Sequence, residues 1–404
     1  MTYTLYISHK TMKKLLPIIV FSLLILNWCD NTPPPEPIKQ INNPAPIQEP
    51  TESPIDNPDI PSDDTTLIEQ YDNRILSSID DRIRADSMWC WTFQLLWNET
   101  IDKLIHTDIV FRPQQLVQAE NLNKKTFTKE QLSDDSYFLT YWLFVKPLKK
   151  IIEDWIKEKF DETSSIINLL DWDSAPDDES WYPDGGRKEY VFYTMLKKVF
   201  KFAKSFDNLD PAKFDEKYDN IKYFWIDDDS NYELRSQVKV LYYNSEDDFA
   251  VILKTNEWEE VILSRWTIED SFMNTYKEII AKSEKYDWKK YFSDDDYLKV
   301  PNLSLNVLRE YNEFYDKNFY DSLWNRWEIL KALQTIEFDL DANWWRIKSE
   351  AMMYLALDSA IWPVFEEPEY RYFYFNKPFT IFLKEENKQI PYFAARVVDI
   401  TKFQ

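Results

Sequence analysis

Glycine is almost missing from this 404-residue chain: it occurs twice, where ordinary usage of about 7% would supply roughly 28. Histidine and cysteine also occur only twice each. With so few ligands and nucleophiles of those types, zinc sites, disulfide frameworks and histidine-based catalysis are nearly closed. Positive charge is short as well, with 48 Lys and Arg against 71 Asp and Glu, a net charge of −23. That balance argues against nucleic-acid binding, because phosphate contacts need clustered cations. Catalysis, if any, would fall to carboxylates, Lys or Ser.

Apolar residues make up 44% of the chain and aromatic residues 17%, enough for a sizeable core. The length allows one large domain or two ordinary ones. Tryptophan, normally rare, occurs 17 times. Several stand in turn-like contexts: Asn343-Trp344-Trp345, Asp287-Trp288-Lys289 and Asn256-Glu257-Trp258-Glu259. Turns call for residues that tolerate φ > 0, and glycine is the usual supplier. The expectation is that many of these tryptophans are UGA codons translated under the wrong code, with glycine as the native residue. The alternative is a low-glycine protein with genuine tryptophans.

The N-terminus reads as a targeting segment. Met12-Lys13-Lys14 looks like the true start, and an apolar run follows from Leu15 to Leu26. Interrupted by Pro17 and Ser22, it is too short to span a bilayer and fits a signal-peptide core. Residues 1–28 are therefore expected to be a signal peptide. The run ends in Leu26-Asn27-Trp28-Cys29-Asp30, similar to a bacterial lipobox with Cys29 as the lipidated residue; Gly at 28 would complete it. Residues 29–64 read as a lipidated Cys and a disordered tether, since ten of the 21 prolines lie between Asn31 and Asp64 with no aromatic residue. This places a folded domain, 65–404, at the cell surface on a membrane anchor. Cleavage before Cys29 would leave His106 as the sole histidine, with a structural role, and Cys90 as a buried free thiol.

Within 65–404, helical patterns cover Leu67–Arg84, Phe93–His106 and Pro147–Phe160, the last with Leu148, Ile151, Ile152, Ile156 and Phe160 on one face. Strand patterns cover 238–243, 249–253, 261–263, 298–305, 335–340, 370–375, 379–383 and 392–398. Ala250–Leu253 and Val261–Leu263 form a hairpin around Thr255–Glu260. Helices early and strands late give an α+β class. The acidic runs do not make metal sites. Asp227-Asp228-Asp229-Ser230-Asn231 has Tyr232 and Val238 where a calcium loop needs Gly and Glu, and Asp171-Trp172-Asp173 has Ala175 at a ligand position. Asp294-Asp295-Asp296 reads as a solvated turn. No cofactor and no metal is implied.

The run Phe375-Asn376-Lys377-Pro378-Phe379-Thr380-Ile381-Phe382-Leu383 resembles the signature of the serpins, the serine protease inhibitor superfamily. A charged turn, Lys384-Glu385-Glu386-Asn387-Lys388, and a closing strand ending Arg396-Val397-Val398 continue the match. Thr380 and Ala395 depart from the usual residues. Four further blocks fall in serpin order: Val110–Pro113, Thr128–Leu132, Leu139–Val145 and Leu298–Leu303; Lys331–Asp341 is similar to the strand that leads into the reactive loop. The resemblance covers about 85–404.

The resemblance implies helices packed around large mixed and antiparallel sheets, with an exposed reactive loop near the C-terminus. It implies a suicide inhibitor of an extracellular serine or cysteine protease, not an enzyme. The loop, about 345–370, is bait that inserts into a β-sheet after cleavage. Insertion needs alternate small or apolar residues; Ile347, Ser349, Ala351, Met353 and Leu355 supply them, Trp345 fits only if it is glycine, and the segment alone reads equally as a surface helix. Trp344, Trp345, Ile347, Ser349 and Ala351 form the hinge, and Leu357, Asp358, Ser359, Ala360 and Ile361 the scissile window. Ile347 and Met353 are bulkier than inhibitory members carry. The alternatives are a non-inhibitory serpin-like protein or a solute- or carbohydrate-binding surface lipoprotein. Glycoside hydrolysis has no locatable carboxylate pair.

Overall fold

The computed structural model describes residues 72–345 and 370–404, apart from 165, 183–186, 231 and 256–258, and describes 344–345 by backbone alone. Cys29 and the segment 346–369 lie outside the described residues. The architecture is α+β, as the sequence implies. Its centre is a seven-stranded sheet in the order β1-β2-β19-β18-β10-β9-β8. These strands are Ile75–Leu76, Met88–Cys90, Phe393–Val397, Phe379–Glu385, Glu259–Arg265, Asp248–Lys254 and Val238–Ser245 (β1, β2, β19, β18, β10, β9 and β8). All seven residues of β18 are buried, which explains why its sequence is an apolar run and not an alternation. The expected hairpin is present, with Leu253 opposite Val261.

Helix Phe272–Lys285 covers this sheet with Phe272 and Tyr276, whose rings meet Phe382 at 6.1 and 5.6 Å. Ser271 caps it by accepting from the Asn274 N–H at 3.2 Å. A four-stranded sheet packs against the same core, with Phe338 stacked on Phe393 at 4.9 Å. Its order is β12-β15-β16-β5: Leu303–Glu310, Leu333–Leu340, Trp344–Trp345 and Phe200–Lys201. A second four-stranded sheet has the order β17-β11-β7-β6: Arg371–Tyr374, Asp296–Pro301, Tyr218–Ile226 and Asp207–Phe214. Strands Tyr137–Leu143 and Tyr190–Leu196 (β3 and β4) pair as a separate ribbon, on which helix Lys146–Phe160 lies.

Several sequence expectations need correction. No helix occupies 72–84: the Asp81 carboxylate accepts from the N–H groups of Ser77 and Ser78 at 3.1 and 2.9 Å, a local alternative to helical bonding. Phe93–His106 is helix Thr92–Thr100 extended by a π-turn over Ile101–Ile105, ending at exposed His106 with φ 57°. Ile151 is 42% exposed and does not share the buried face of Leu148, Ile152 and Ile156. The run 298–305 breaks at Asn302 into β11 and β12, which belong to different sheets. Cys90 is a buried free thiol, its pKa pushed up to about 11 by burial.

Two tryptophans take backbone conformations that suit glycine. Trp266 has φ 72° and Trp324 φ 66°, and their side chains are 70% and 80% exposed. A large residue in that region pays a steric cost and gains no burial. Trp288, singled out from its turn-like context, instead lies 5.2 Å from the Arg371 guanidinium.

Candidate functional site

The structure places the two ends of 346–369 on different sheets. The chain leaves from β16 in one four-stranded sheet and returns through Tyr370 into β17 in the other. Of the expected hinge residues, Trp344 and Trp345 are described by their backbones. Ile347, Ser349, Ala351 and the window Leu357, Asp358, Ser359, Ala360 and Ile361 lie outside the described residues.

The departure is built by a tight reversal. β15 buries Gln334, Ile336, Phe338 and Leu340 on one face, a two-residue period. After Leu340 the Asp341 carboxylate accepts from the Asn343 N–H at 2.7 Å, and the Ala342 carbonyl accepts from the Phe206 N–H at 2.8 Å. The chain then turns back, so that Trp345 is opposite Leu340 on one side and Phe200 on the other. The start of the segment is thus already a strand between two neighbours.

Two residues before Phe200 lies Lys198, 5% exposed. Its ammonium donates to Glu259 and, at 2.5 Å, to Glu385, which are cross-strand partners at the ends of β10 and β18. Tyr392 donates to the second Glu259 oxygen at 3.1 Å, and Ser133 donates to Glu385 through its N–H at 3.0 Å and its hydroxyl at 2.7 Å. Burial pushes the Glu259 carboxyl up to about 7 against the pull of Lys198. Burial also works against the charge on Glu385, but Lys198 and the Ser133 donors hold its pKa below the usual value. One cation therefore serves two carboxylates, and Glu259 is the one that titrates.

The return is anchored differently. Arg371 and Asp296 are register partners of the parallel pair β17 and β11, and both are fully buried. The guanidinium donates through Nε and Nη2 to the two Asp296 oxygens, each at 2.7 Å. Its remaining donors reach the carbonyls of Lys289 and Tyr291 at 2.8 and 2.9 Å. Burial opposes the Arg371 charge, and the Asp296 carboxylate outweighs it, so its pKa stands above the usual value. This overturns the solvated-turn reading for Asp296, although Asp294 is exposed.

Sequence reasoning did not single out Lys198, Glu259, Glu385 or Arg371. The available signal was a charged residue at an inward position of an otherwise aromatic strand, as in Arg371-Tyr372-Phe373-Tyr374. Among the described residues, no group of three or more His, Cys, Asp or Glu is placed to hold a metal ion.

No family model and no curated protein matches the chain. Among solved structures it is similar to Serpin48, a highly specific serpin of the insect Tenebrio molitor. The identity is 12%, over 78% of this chain and 92% of that one, with a TM-score of 0.43. It is also similar to human thyroxine-binding globulin at 10% identity, over 76% and 95% of the two chains, with a TM-score of 0.40. A third is the serine protease inhibitor serpin-12 of Manduca sexta, at 13% identity over 68% and 79%, with a TM-score of 0.37. Two of these three neighbours are serpins by name.

Proposed function

We propose that this chain is a serpin-type suicide inhibitor of an extracellular serine or cysteine protease. Its bait is the segment at about 345–370, and the chain acts as a trapped substrate and not as a catalyst. The observation that carries the reading is the backbone of Trp344–Trp345. It is paired on both sides within the sheet, to Leu340 and Phe200, where a cleaved segment would continue as a new strand. The alternation of Ile347, Ser349, Ala351, Met353 and Leu355 suits that continuation. Attack in the window Leu357–Ile361 would form an acyl-enzyme, and insertion would carry the protease across the molecule.

The proposal extends to location. A signal peptide over 1–28, a lipid on Cys29 and a proline-rich tether to 64 would hold the inhibitor on an extracytoplasmic membrane surface. Metabolic labelling with a radioactive fatty acid, lost in Cys29→Ser, is the expected result.

The inhibitory test is incubation with proteases of different primary specificity, followed by denaturing gels. A heat- and detergent-resistant band at the summed mass is expected, together with a large rise in melting temperature of the cleaved inhibitor. Clean cleavage with neither band nor rise would leave a non-inhibitory serpin-like or solute-binding lipoprotein in its place.

A further inference from the structure

Resting on the inhibitory reading above, we propose that the outer face of β17 and β11 is a second docking surface for the target protease, one that takes an arginine- and lysine-bearing surface. Alternate residues of β17 divide cleanly. Arg371 and Phe373 are buried, whereas Tyr370 is half exposed and Tyr372 and Tyr374 are partly exposed. On β11, Tyr297 joins them. Its ring stacks on Tyr372 at 5.1 Å and lies 6.1 Å from Tyr370, and Tyr372 lies 5.4 Å from Tyr374. Four tyrosines thus form one continuous row on strands locked from beneath by the Arg371–Asp296 pair. Such a row presents rigid amphipathic rings at small entropic cost, as strong protein-binding surfaces do. None of the four is a tryptophan, so the row does not depend on how the tryptophan positions are decoded.

Charge identifies the occupant. Asp228 and Glu246 are exposed at the margin, and Asp228 accepts from the Tyr297 hydroxyl. Burial first, and then Tyr372 and the carboxylates of Asp227, Asp228 and Glu246, push the Tyr374 hydroxyl up, so carboxylates lie within electrostatic reach of the row. Continuity makes the occupant the protease. Tyr370 follows the bait segment, nine to thirteen residues beyond the window Leu357–Ile361. That is at most about 45 Å of extended chain, within reach of a protease seated on the window.

The test uses the full chain and chymotrypsin, which accepts Tyr354, Leu355, Leu357 and Phe365 of the segment, whereas Trp362 is protected by Pro363. Chymotrypsin with its basic surface is compared with succinylated chymotrypsin, each normalised to its rate on a small peptide. The second-order rate of attack on 346–369 is followed as salt is raised. The native enzyme is expected to be roughly tenfold faster at low salt, with the advantage lost at high salt. Asp228→Lys/Glu246→Lys should abolish that advantage, whereas Asp154→Lys/Glu158→Lys, on the helix over β3 and β4, should keep it. Equal losses in both double variants, or no preference in the parent, would overturn the docking surface. Absence of the covalent band with every protease of the panel, with the rate pattern intact, would sink the inhibitory reading and leave the surface standing.

Discussion

The two ends of the segment 346–369 are flanked by buried ionic groups of opposite character. At the return, one guanidinium meets one carboxylate in a bidentate pair, and neighbouring carbonyls take the remaining donors. Charge is balanced there. At the departure, one ammonium is shared by two carboxylates, and burial leaves Glu259 with a pKa of about 7. A matched pair fixes geometry over the whole working pH range. A mismatched triad can shed its excess charge only by taking up a proton. The return is thus built as a fixed post, and the departure as a joint whose stability depends on pH.

The strongest test of that contrast is to break the post. Asp296→Ala leaves a buried guanidinium uncompensated and should cost about 3–5 kcal/mol in urea unfolding. Replacing both partners, as Arg371→Met/Asp296→Leu, should recover most of the loss because no orphan charge remains. A double variant as unstable as the single one would show that the pair does more than neutralise itself.

The joint should respond to pH where the post does not. Glu259 has its pKa raised from 4.5 to about 7 in the folded chain. The folded state therefore binds more protons than the unfolded state between those values. Its contribution is fully present below about pH 4.5 and is lost as pH rises through 7, a span of about 3 kcal/mol at most. Glu259→Gln should flatten that part of the stability profile between pH 5 and 8. Lys198→Met should cost about 1–3 kcal/mol, less at pH 5 than at pH 8, because without the cation Glu259 must be protonated in the folded state and taking up that proton costs less at the lower pH. An equal cost at both pH values would remove the distinction between post and joint.

Both groups escaped the sequence for the same physical reason. Arg371 and Asp296 are 75 positions apart, and Lys198 and Glu385 are 187 apart, so only the topology of the sheets brings them together. Local pattern carried what is local. The continuous apolar run of β18 and the hairpin of β9 and β10 were legible because burial on both faces leaves no alternation to confuse. Of the helix expected over 67–84, the described part, 72–84, is not helical: its apolar spacing hid a competing Asp81–Ser77 turn. Of the expected hinge only Trp344–Trp345 fall within the described residues, where they form a short strand; the two-residue period beyond them lies outside the described residues. The burial of Asp296 was not, since three consecutive carboxylates read as solvent-facing until Arg371 is placed opposite the last.

The smallest expected effect sharpens the return side alone. Arg265 supports β17 by donating to the Tyr374 carbonyl at 2.8 Å and pairing with Asp247. The next residue, Trp266, holds φ 72° with 70% of its surface exposed. Trp266→Gly removes the steric cost of that conformation, about 1 kcal/mol for a non-glycine residue, and forfeits little burial. The melting temperature should therefore rise by about 1–2 °C, without altering the pH profile set by Glu259. Trp89, fully buried on β2 and edge-on to Phe127 at 5.8 Å, gives the opposite expectation, since Trp89→Gly would empty a core site. If the tryptophans in left-handed turns are decoded glycines, Trp266→Gly and Trp324→Gly should each stabilise the chain; if either destabilises it, that position is a genuine tryptophan.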